Sequence, residues 1–126
     1  MHAADPSTME KLARAQFENN QAEKSIETLN ALISANPEYK STAGHLLFAR
    51  ALEEQGRYED AVREYKVLRT SYPGEEAQVR YAQLLKKMHR PEEATELFRE
   101  SVLRARRAPK HYQNQQREWL RYAKNL

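Results

Sequence analysis

The sequence predicts an all-α repeat fold: three helix–turn–helix hairpins stacked in chain order and closed by a further helix. Three observations point there. Apolar residues recur at helical rather than alternating spacing, as in Leu47, Phe48, Ala51, Leu52 and then Ala61, Val62, Tyr65, Leu68. The chain has only three glycines in 126 residues, too few for the tight turns of an all-β fold. The pattern also returns along the chain at a period near 34, the mark of a repeat architecture rather than a compact bundle.

The stretch GRYEDAVREYKVLRTSYPGEEA, residues 56–77, shows how one unit closes. Gly56 ends the preceding helix by adopting a left-handed conformation that other residues avoid. Glu59 and Asp60 then place negative charge in the first turn of the next helix. Pro73 stops that helix and Gly74 lets the chain turn. Shifted by 33 residues, Tyr58, Ala61 and Tyr65 become Pro91, Ala94 and Phe98, while Phe48 and Ala49 become Tyr81 and Ala82. Shifted back by 36, Phe48, Ala49, Ala61 and Pro73 become Leu12, Ala13, Ser25 and Pro37. In the third unit Arg106 replaces the terminal proline, so the sixth helix runs on towards Pro109. Pro109 suits the start of a seventh helix, KHYQNQQREWLRYAKNL, with Tyr112, Gln116, Trp119, Ala123 and Leu126 on one face to cap the stack.

Composition excludes several functions. There is no cysteine, hence no disulfide scaffold, no thiolate zinc site and no cysteine nucleophile; this fits a reducing cytoplasm. No segment approaches the roughly 18 uncharged apolar residues of a membrane span, and MHAADPSTMEK is not a signal peptide. The histidines, His2, His45, His89 and His111, are too scattered to ligate a metal together. His45 is expected to pack or cap near a helix start, and His89 to occupy an interhelical turn. No serine stands in a nucleophile elbow. The pairs Glu53–Glu54, Glu75–Glu76 and Glu92–Glu93 are adjacent and do not face each other, so they read as solvated helix faces and helix starts. The chain is therefore expected not to be an enzyme and to carry no cofactor and no metal.

The net charge of +3 is uneven: residues 99–126 carry eight Lys/Arg against two Glu, and the remainder is net acidic. Arg104, Arg106, Arg107, Lys110, Arg117 and Arg121 accompany Tyr112, Trp119 and Tyr122, a set able in principle to hold phosphates and stack bases. Contact with nucleic acid or with anionic lipid headgroups is thus the alternative to protein binding. Packing of the aromatics on the sixth helix, with the arginines solvated, is the favoured reading. Met9, Leu12, Phe17, Ile26 and Ile33 belong to a first hairpin with no predecessor to cover it, so self-association there is a further expectation.

These features resemble the tetratricopeptide repeat (TPR) family. The matching units run from about residue 6 to 37, 42 to 73 and 75 to 106, within one TPR domain spanning 1–126 and ending in a capping helix at about 110–126. The resemblance rests on Ala13, Ala49 and Ala82 in the first helices, Ser25, Ala61 and Ala94 in the second, and Leu29, Tyr65 and Phe98 at the bulky second-helix position. It departs where Asn20 and His89 replace the turn glycine. The family implies a right-handed superhelical stack whose first helices line a concave groove for a partner protein or peptide. Its groove positions translate to Ser7, Glu10, Lys11, Arg14, Phe17 and Glu18, then Ala43, Leu46, Leu47, Arg50, Glu53 and Glu54, then Glu76, Val79, Arg80, Gln83, Lys86 and Lys87. Of these, Arg14, Phe17, Leu47, Arg50, Arg80, Gln83, Lys86 and Lys87 are the expected partner-binding residues, suited to an acidic segment because guanidinium groups grip carboxylates. The family's chaperone-tail clamp is not expected, since Arg14 and Leu47 stand where its asparagines would be and Glu76 replaces a clamp lysine. YPGEEAQVRYAQLL and LFRESVLRARRAPKHYQNQQREW also look like bacterial proteins with hydrophobic segments ahead of the repeats. That resemblance implies the cytoplasmic part of a membrane-anchored parent.

Overall fold

The computed structural model describes residues 5–124, and every regular element among them is helical. In order these are α1 (Pro6–Glu18), α2 (Ala22–Ala35), α3 (Thr42–Glu54), α4 (Tyr58–Ser71), α5 (Glu76–Lys87), α6 (Pro91–Arg107), α7 (Lys110–Gln115) and α8 (Arg117–Lys124). The chain divides after Glu64 into two compact units, the boundary falling within α4.

Local chemistry sets the helix starts. The Asp5 carboxylate accepts from the Thr8 amide at 3.2 Å, with Pro6 at the first position of α1. The Ser41 hydroxyl accepts from the Gly44 amide at 3.0 Å and opens α3. Pro91 begins α6, where a missing N–H costs nothing.

The three hairpin turns share one construction. In each, the amide of the residue after the bend donates to a carbonyl five residues back: Gln21 to Gln16 at 2.8 Å, Arg57 to Leu52 at 2.9 Å and Arg90 to Leu85 at 2.8 Å. The residue before it is left-handed in all three, with φ of 60° at Asn20, 74° at Gly56 and 61° at His89. Only the middle turn uses the glycine that the motif prefers. Asparagine tolerates this region better than most residues, and histidine is among the types enriched there.

In the first unit Ala13, Leu29, Leu32 and Leu47 form a core cluster, with Met9, Phe17, Tyr39 and Phe48 packed against it. Ala13 and Ser25 are fully buried, and the Ser25 hydroxyl donates to the Ala13 carbonyl at 2.8 Å. The bond ties the α1 and α2 backbones together at that height. Ser25→Ala is expected to cost about 1 kcal/mol, the net worth of one buried hydrogen bond; urea unfolding followed by circular dichroism measures it. Ala49 and Ala61 are equally inaccessible, and Ile26, expected at an open edge, is 7% exposed. Leu12 and Ile33 do face solvent.

The second unit buries Leu68, Val79, Ala82, Leu84, Leu85, Ala94 and Phe98, with the Tyr65 and Tyr81 rings stacked at 6.0 Å between centroids. α8 packs on α5 and α6, burying Leu120 and Ala123. The single C-terminal helix expected from Lys110 is two helices, interrupted at Gln116. At this break the Gln116 side-chain oxygen accepts from the Glu75 amide at 2.8 Å, a long-range bond that ties the residue to the turn before α5. Gly74 makes room for it, because a Cβ there would lie 2.8 Å from the same oxygen. Leu126, expected on this face, lies outside the described residues, as does His2.

Candidate functional site

The residues expected to touch a partner fall in both units. In the first, the Arg50 guanidinium lies 4.8 Å from the centroid of the Phe17 ring, joining α3 to α1 through a cation–π contact. Arg14, one turn before Phe17 on α1, is partly exposed. A neutral ring paired with one guanidinium, and a second arginine one turn away, suits an anionic segment that also carries apolar side chains. Leu47 departs from expectation: it is 1% exposed and sits in the core with Ala13, Leu29 and Leu32, so it supports this surface from beneath. The helix α3 buries a broad face that includes Leu46 as well, which a mapping of groove positions onto the sequence does not register.

In the second unit Gln83 is partly exposed, and Lys86 and Lys87 project from the last turn of α5. Arg80 is held within the unit: its Nε donates to Glu76 at 2.9 Å, and its guanidinium stacks 4.9 Å from the Trp119 ring centroid.

The strongest polar centre was not legible in the sequence. Glu75, read as part of a solvated pair, is fully buried. Arg104 grips its carboxylate in a fork, with Nε to Oε2 at 2.9 Å and a terminal nitrogen to Oε1 at 2.8 Å. The Tyr112 hydroxyl donates to Oε2, and Gln116 takes the Glu75 amide. Burial by itself would raise the Glu75 carboxyl, but the hydrogen bonds from Arg104 and Tyr112 outweigh it and hold the group below its ordinary value. Burial and the adjoining carboxylate together push the Tyr112 phenol up to about 12. This node pins α7 to the start of α5. Its chemistry is that of a latch, since every polar atom named is spent on a partner within the unit.

Arg104 and Tyr112 thus leave the basic, aromatic set at the C-terminal end, and Trp119 is engaged by Arg80 and tilted against Tyr122 at 5.8 Å. Arg106, Arg107, Lys110, Arg117 and Arg121 are exposed. His45 Nε2 lies 2.7 Å from Glu64 Oε1, linking α3 to α4, and His89 stands in the turn before α6. Among the described residues no group of three or more histidine, aspartate or glutamate side chains is placed to hold a metal ion. Among the same residues, no helix is long and apolar enough to cross a membrane.

A tetratricopeptide-repeat family model matches residues 8–39 and 45–74. No curated protein sequence matches the chain. Among solved structures, PcrH in complex with the chaperone binding region of PopB is similar, with a TM-score of 0.77 at 13% identity over 98% of both chains. The type III secretion translocator chaperone SycD of Yersinia enterocolitica gives a TM-score of 0.72 at 15% identity, over 98% of this chain and 94% of that one. A Podosopora anserina protein of the kinesin light chain type, with nearly identical TPR-like repeats, gives 0.64 at 19% identity over 96% and 69%. At these identities the likeness is one of fold.

Proposed function

We propose that this chain, which a tetratricopeptide-repeat family model matches over residues 8–39 and 45–74, is a non-catalytic scaffold that holds a segment of a partner protein on its first helices. The observation that carries the reading is the Arg50–Phe17 pair, with the partly exposed Arg14 one turn before Phe17 on the same helix. Clustered guanidinium groups around an aromatic face favour an acidic segment with an apolar anchor. In the second unit Gln83, Lys86 and Lys87 are the proposed contacts. Leu47 is left out because it is core, and Arg80 because Glu76 and Trp119 occupy it. The structural likeness to PcrH, which was solved with the chaperone binding region of PopB, and to the chaperone SycD supports a holding role of this kind.

The polyanion alternative is weaker, since Arg104, Tyr112 and Trp119 are spent inside the second unit. The resemblance of the third repeat and C-terminal segment to bacterial proteins with hydrophobic N-terminal segments supports a cytoplasmic site of action beside a membrane.

The test is a binding screen on an array of acidic and basic twelve-residue peptides, each acid-rich peptide also bearing one leucine or phenylalanine. The wild-type chain is expected to select the acidic set. Arg14→Ala/Arg50→Ala is expected to weaken the best binders about tenfold or more, the scale of one or two charge-assisted hydrogen bonds. Unchanged binding by the double variant removes the proposed surface.

A further inference from the structure

A recess in the first unit lies between α2, the loop 36–41 and α3, with a volume of about 360 Å³. None of Arg14, Phe17 and Arg50 lines it. Its floor is apolar, built from Leu29, Ile33 and Phe48, with Pro37 at the side. Ile33 is 55% exposed, an aliphatic side chain that the fold leaves uncovered.

Two carboxylates stand among these apolar groups, Glu10 and Glu64. Glu10 reaches the start of α3 because residue 44 has no side chain: a Cβ on Gly44 would lie 2.7 Å from its Oε1. The Tyr39 hydroxyl donates to that oxygen at 3.1 Å. Glu64 Oε1 is 2.7 Å from His45 Nε2. Burial first, and the Glu10 carboxylate second, raise the Tyr39 phenol above its ordinary value, which keeps it a donor. An ionised carboxylate accepts about four hydrogen bonds, so one wall contact each leaves acceptor capacity on both groups. Against them stands Lys40, exposed at the edge.

An apolar floor beneath two carboxylates matches a side chain with an alkyl stem and a cationic tip. We propose that this recess docks an arginine of a partner protein segment, its methylenes on Ile33 and Phe48 and its guanidinium on the carboxylates of Glu10 and Glu64. Arginine fits better than lysine because its planar fork matches a carboxylate and its guanidinium is more weakly hydrated. The pocket reads a charge opposite to that read by Arg14 and Arg50, so it stands or falls separately from the surface proposed above.

The probe is N-acetyl-arginine amide, titrated at pH 7.5 into the full chain labelled with nitrogen-15, with N-acetyl-norleucine amide as the neutral match. Saturable shifts are expected at residues 29–48 and 64, with the neutral amide binding at least tenfold more weakly. Glu64→Gln is expected to weaken the arginine probe about tenfold. Lys40→Gln, at an exposed position, is expected to strengthen it about threefold by removing a like charge. Should Glu64→Gln disturb the fold, Ile33→Ser, also exposed, is expected to weaken both probes with an otherwise unchanged spectrum. Equal binding of the two amides, shifts that grow linearly over the whole surface, or no response to Lys40→Gln and Ile33→Ser overturns the proposal.

Discussion

Glu75→Ala is expected to destabilise the protein by about 3 kcal/mol, as removal of one member of a buried ion pair does. The loss comes from what remains: a guanidinium at Arg104 that has lost its fork, and a Tyr112 hydroxyl without its acceptor. Arg104 is about half exposed and can turn to water, which keeps the figure at the lower end of the range for such pairs. Urea unfolding measures it, and proteolysis should find new cleavage in α7 and α8, since Glu75 ties both through Tyr112 and Gln116. A variant as stable as wild type, with α7 still protected, removes the latch. The same group sets an acid dependence. Its folded pKa lies below the unfolded value, so its contribution is present above the ordinary carboxylate range and lost as pH falls through the folded pKa. Tyr112 acts at the other end. Its folded pKa is raised to about 12 from 10.0, so its contribution is complete below pH 10 and lost as pH rises through 12.

Leu47→Ala is expected to cost a further amount of similar size, about 3 kcal/mol, through lost burial and the cavity left behind. Leu47 is enclosed by Ala13, Leu29 and Leu32, and the two leucines cannot close the gap without leaving their own positions. The stability loss should come without a selective loss of acidic peptides, once binding is measured on the folded fraction. A stable Leu47→Ala that specifically loses acidic peptides returns this residue to the binding surface.

What the sequence disclosed follows from which interactions are local. Two helix backbones that pack closely need small residues at a fixed height, and Ala13, Ser25, Ala49, Ala61, Ala82 and Ala94 announce this at the repeat period; all six are inaccessible in the structure. Helix ends were equally legible at Gly56, which follows α3, and at Pro73, which follows α4. The turns at Asn20 and His89 were less so, because the left-handed region is usually signalled by glycine. The Glu75 latch was hidden for another reason. Its partners lie 29, 37 and 41 residues away, with no periodicity relating them. For the proposed binding surface, the repeat pattern gives which residues lie on a first helix. It does not give how wide a face that helix buries, which decides Leu47, or what a later helix places over it, which decides Arg80.

The reach of the latch along the chain has a consequence for synthesis. The Ser25–Ala13 bond joins residues only 12 apart, the His45–Glu64 link spans 19 and the Tyr39–Glu10 bond 29, so these bonds of the first unit can form before the second unit is complete. Glu75 emerges long before Arg104, Tyr112 and Gln116. Until α6 brings Arg104, a carboxylate destined for the interior has no cation, and the finished α5–α6 hairpin still waits for the ribosome to deliver Tyr112 and Gln116, the rest of its fastening.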